Sequence, residues 1–114
     1  VSLVIEKVAQ KTGVFSKQNY RMIVTTTRLI LAVQLKNNVD YQRQDPALTL
    51  AENSANYAIP LTDLQGIEIY RSGLDDASPD SMVIKTNTGN HTFIIPDAYR
   101  VGQNLKKVLG SIVK

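Results

Sequence analysis

Cysteine and tryptophan are both absent from these 114 residues. Without cysteine there are no disulfides and no thiolate metal ligands, which fits a reducing, cytoplasmic setting. Histidine occurs once, at His91, so neither a His-based metal site nor a Ser-His-Asp set has a second imidazole to draw on. No Gly-rich phosphate loop and no nucleophile with a neighbouring base stand in the chain. The expectation is a non-enzyme that holds no metal or other cofactor. Aromatic residues make up only 6%, and no groove-entering helix is apparent, so nucleic acid is a poor partner. No apolar run approaches the roughly 20 residues that a membrane-spanning helix needs.

The charge present is unevenly placed. Net charge is +3, yet residues 1–44 carry +5, residues 45–80 carry −6 and residues 81–114 carry +4. Hydrophobic residues make up 43% of the chain. With this length they suit one domain over 1–114, with a single core.

Residues 21–33 organise that domain. Tyr20, Met22 and Val24 alternate with Arg21, Ile23 and Thr25. After a turn at Thr26 and Thr27, Leu29, Leu31, Val33 and Leu35 alternate with Arg28, Ile30, Ala32, Gln34 and Lys36. Period-two patterning rich in β-branched residues predicts a hairpin with one strongly apolar face. A lone hairpin does not stay folded in water, so the rest of the chain must cover that face.

Upstream, Val1, Val4, Ile5 and Val8 have helical spacing, but their β-branching favours a strand from about Leu3 to Lys11. Periodicity disappears over 37–57, an insertion that reads as a functional, partly helical loop or as an excursion without a role. Asp45 and Pro46 suit an N-cap and first helical position, with a short helix ending near Asn53. Residues 57–61 form a short extended piece that Pro60 confines to an edge or a strand end. Gly66 opens a strand over 67–71. A polar loop then holds Asp75, Asp76 and Asp80, whose spacing lacks the alternating oxygens of a calcium loop. A second hairpin joins 82–86 to 92–95 around residues 87–90, where Gly89 takes positive φ at no steric cost. From Ala98, Val101, Leu105, Val108, Leu109 and Ile112 fall on one face of a helix. That helix is the expected lid.

Three segments carry a resemblance in order and spacing. They are Thr25-Thr26-Thr27-Arg28-Leu29, the run from Ile59 and Pro60 to Ile67, and the run from Val83 to Gly89 with Phe93. Together they resemble bacterial PH-like and GRAM domains, over most of residues 5–113. There a T-x-x-R-L hairpin precedes an I-P-L-x-D-I segment, an I-x-T-x-x-G hairpin and a closing helix. Leu64 stands where isoleucine is usual, and the 37–57 insertion exceeds the compact versions. The resemblance implies a bent antiparallel β-sandwich or barrel of about seven strands, capped by an amphipathic helix. Members bind anionic lipid head groups, peptides or partner proteins.

Lys11, Lys17 and Arg21 flank the first inter-strand loop, where lipid-binding members hold phosphates. Phosphate recognition needs convergent cations, and here Lys17 and Arg21 are separated by Gln18, Asn19 and Tyr20. Arg28 is expected to pair with an acid or a carbonyl. The expected function is a noncatalytic module for protein–protein interaction or self-assembly, working through strand edges and the helix surface. The alternative is a peripheral adaptor at the inner face of the membrane, binding anionic lipid or phosphoinositide head groups through the basic loop.

Overall fold

The computed structural model describes residues 3–11, 17–33, 45–51, 55–71 and 79–113. Expectations for Val1, Gln34, Leu35, Lys36, Asp75, Asp76, residues 37–44 and residues 52–54 fall outside them, as does the side chain of Lys11.

Threonine folds both hairpins. The buried Thr25 hydroxyl accepts from the backbone N–H of Thr27 at 3.2 Å and of Arg28 at 3.0 Å, closing the turn between β2 (Lys17–Val24) and β3 (Arg28–Val33). The buried Thr86 repeats the device between β6 (Ser81–Thr86) and β7 (Gly89–Ile94). Its hydroxyl donates to the Gly89 carbonyl at 2.7 Å and accepts from Thr88 N–H at 3.3 Å. Gly89 sits at φ 145°, a region open to glycine and costly for other residues. The second turn is therefore tighter than the sequence implied, with Gly89 and Asn90 already in the strand.

Around these hairpins lie β1 (Leu3–Lys11), β4 (Tyr57–Pro60) and β5 (Leu64–Tyr70). The seven strands form one antiparallel sheet in the order β4-β3-β2-β1-β7-β6-β5, open at β4 and β5. β1 joins its two halves: it pairs along β2 but meets β7 at one position, Ala9 opposite Ile94. The sheet bends there around the core. This is the seven-stranded, helix-capped architecture expected from the sequence. β5 begins at Leu64, three residues before the expected strand. Gly66 lies inside it, paired with Lys85, and a register shift between Leu64 and Gly66 leaves Gln65 as the extra residue.

The lid is α2 (Ala98–Leu109). Ala98, Val101 and Leu105 enter the main core beside Met22, Leu31, Ile67, Met82 and Phe93. Val108, expected on the same face, is 37% exposed. The helix ends at Gly110, whose φ of 74° turns the chain into a short 3-10 segment, so Ile112 packs on the core from outside the helix. Val113 then bridges to Ile67.

Two carboxylates hold the start of α2. Asp97 accepts from Arg100 N–H at 3.1 Å, and Asp80 reaches across from the β5–β6 connection to accept from Ala98 N–H at 2.8 Å. Asp80, expected in a solvated loop, is thus part of the helix start, where a negative charge also meets the favourable end of the dipole. Asp80→Ala is expected to lower stability by about 1 kcal/mol in chemical denaturation. An unchanged midpoint would mean that Asp97 caps the helix unaided.

Neither face of the first hairpin is wet. Met22, Val24, Leu29 and Leu31 enter the main core, while Ile23, Ile30 and Ala32 form a second cluster on the opposite side. That cluster packs with Leu50 of α1 (Pro46–Ala51), a helix within the insertion. Asp45 starts α1 as expected, accepting from Ala47 N–H at 2.9 Å. Asn56 then secures the return: its amide donates to the Thr49 carbonyl at 2.9 Å, and its side-chain oxygen accepts from Val33 N–H at 2.6 Å. The expectation of a single apolar face is corrected. Part of the insertion covers the other one.

Candidate functional site

An edge strand leaves one row of backbone groups without a sheet partner, and β5 is such a strand. Its outer edge is occupied at Ile67 by the parallel bridge to Val113. Beyond that point, residues 68–71 have no further strand neighbour on this side among the described residues. Here β5 and α2 diverge into an open groove of about 330 Å³. Ile69, Ala98, Gly102 and Val113 supply an apolar floor, and Arg71, Tyr99 and Lys106 form its rim.

Each wall follows from local sequence. Alternation along β5 puts Ile67 and Ile69 on the helix side, while Glu68 and Tyr70 face away. On that outer side Glu68 is engaged by Lys85 at 2.7 Å and by the Tyr70 hydroxyl. Glycine at position 102 keeps the helix wall low. A Cβ there would meet the two γ-carbons of Ile69 at 3.6 and 3.9 Å, ordinary van der Waals contact. Tyr99 is 59% exposed, braced by Gln103, which donates to its hydroxyl at 2.8 Å, and by Arg71, whose guanidinium carbon lies 5.3 Å from the ring centroid. An aromatic ring held in place beside an open strand edge is suited to cover a partner chain. Gly102→Ala is expected to raise stability by about 0.5–1 kcal/mol in denaturant unfolding, because glycine inside a helix is costly and the methyl group has room. A loss of stability would place α2 closer to β5 than these distances allow.

The sequence-predicted site lies elsewhere. β1 bulges so that Glu6 and Lys7 both stand opposite Arg21, between the pairs Ile5–Met22 and Val8–Tyr20. Lys7 absorbs the extra residue at φ 61°, an uncommon conformation for a side chain with a Cβ. The bulge also brings Glu6 to Arg21, with Oε1 at 3.2 Å from Nε and the Arg21 side chain only 12% exposed. Lys17 is exposed, and its backbone pairs opposite Lys11. Lys17 and Arg21 are four positions apart along the strand, about 13 Å between backbones. The one described cation of this set that is freely exposed is Lys17.

His91 joins a packing cluster. Its ring stacks on Tyr57 at 5.7 Å, and Tyr57 meets Tyr20 edge-on at 5.8 Å while donating to Gln10 Oε1 at 2.8 Å. These contacts tie β4 to the opposite half of the sheet. Burial, and then the neighbouring Tyr20, push the Tyr57 phenol up to about 12 from 10.0. Because the folded-state value is raised, this contribution to stability is complete below pH 10 and is lost as pH rises toward 12. An ultraviolet titration of the tyrosines should show a late component that Tyr57→Phe removes. Its persistence in that variant would assign the late proton to another tyrosine.

No helix among the described residues is long and apolar enough to cross a membrane. No protein-family model matches this chain, and neither does any curated protein. The groove was not among the sequence-predicted sites, because it arises where two segments some 30 residues apart in the chain meet. A buried-face glycine inside an amphipathic helix, next to a tyrosine off the apolar stripe, was its one local signal.

Proposed function

We propose that this chain is a noncatalytic, PH-like binding module of GRAM type that docks an extended segment of a partner protein between β5 and α2. The observation that carries this reading is the open stretch of the β5 edge beyond Ile67, beside an apolar groove rimmed by a braced, exposed tyrosine. Strand addition at such an edge draws affinity from backbone hydrogen bonds and specificity from the pocket that alternate side chains enter. The setting that suits the cysteine-free chain is the cytoplasm.

The test is selection of displayed random peptides on the intact chain, repeated on the Tyr99→Ser/Lys106→Ser variant, both positions being exposed. Enrichment on the native chain that disappears on the variant supports docking in the groove, and equal enrichment overturns it. Mass measurement in solution identifies a second copy as the partner if association depends on concentration and is lost in the same variant. The competing membrane reading has its own outcome. Cosedimentation with anionic vesicles near physiological salt, abolished by Lys11→Glu, Lys17→Glu and Arg21→Glu together, would replace the protein-docking reading.

A further inference from the structure

We infer that the groove between β5 and α2 selects an acidic extended peptide, a specificity that rests on the docking reading above. Among the described residues its rim carries two cations and no acid. Arg71 lies against Tyr99 at one end, and Lys106 stands two helical turns further along, with no ion-pair partner among the described residues. The described carboxylates nearby are committed elsewhere, Asp80 among them at the Ala98 N–H. Glu68 points away from the groove and is held by Lys85 and Tyr70, and Asp97 is turned to the helix start. A basic or neutral peptide would therefore leave both rim cations unanswered, while an acidic one meets each.

Spacing follows from the helix: the seven residues from Tyr99 to Lys106 span about 10 Å, which an extended chain covers in about three residues. Acids placed four apart, on the same side of the strand, bracket that distance.

The probes are short labelled peptides with the core Glu-Thr-Ala-Thr-Glu, a Gln-Thr-Ala-Thr-Gln version and a Lys-Thr-Ala-Thr-Lys version. Binding is read by fluorescence anisotropy near physiological salt. The expected result is that the Glu peptide binds about tenfold tighter than the Gln peptide, the equivalent of two exposed ion pairs, and that the Lys peptide is weakest. Arg71→Glu/Lys106→Glu, at two exposed positions, should reverse the order. Tyr99→Ser/Lys106→Ser should weaken the Glu peptide while leaving the fold intact by circular dichroism. Equal binding of the Glu and Gln peptides would overturn the acidic specificity and leave the docking reading standing. Failure of all three to bind, or binding that ignores both variants, would overturn the specificity and the groove together.

Discussion

Leu31→Asp is expected to abolish cooperative folding, and Ile30→Asp, one residue away on the opposite face of β3, is expected to come close to it. Both side chains are fully buried. Leu31 sits in the main core, and Ile30 lies with Ile23 and Ala32 in the second cluster. An aspartate at either position puts a carboxylate where no described cation answers it, at a cost of several kcal/mol. A domain of this size has only about 5–15 kcal/mol to lose. Loss of amide dispersion in the proton spectrum and of the thermal transition would check both. If Ile30→Asp melted within about 1 kcal/mol of the native chain, the cover over the second cluster would be open to water.

Leu105→Ala is expected to cost about 2–5 kcal/mol, while Val108→Ala, one turn later, should change stability by about 0.5 kcal/mol or less. Leu105 is fully buried against the sheet, and Val108 is among the exposed large apolar residues. Denaturant unfolding of both variants separates them. Equal losses would mean that α2 is rotated about its axis from the packing described.

Local periodicity was enough to read most elements, and its limits are physical. Both hairpins and α2 follow from alternation or helical spacing within one segment, and β1 from β-branching that outweighs its helical spacing, so their partners need not be known. Gly66 reads as the opening of a strand at 67–71, but β5 already begins at Leu64, with the register shift against β6 falling between Leu64 and Gly66. Ile23, Ile30 and Ala32 were visible as apolar residues on the second face. Their burial depends on Leu50, which arrives some 20 residues later on a segment with no periodicity. Asp80 read as loop because its partner, Ala98 N–H, is likewise remote. The basic set suffered the same limit in reverse: Arg21 looked available until the bulge at Glu6 and Lys7 brought a carboxylate to it.

The central claim is that binding runs through the β5 edge and α2, and an amide chemical-shift map of the labelled chain, titrated with the Glu-Thr-Ala-Thr-Glu peptide, tests it most directly. Saturable shifts are expected at residues 68–71 and 99–106, with residues 17–21 unmoved. Shifts centred on residues 17–21, with β5 and α2 silent, would contradict it.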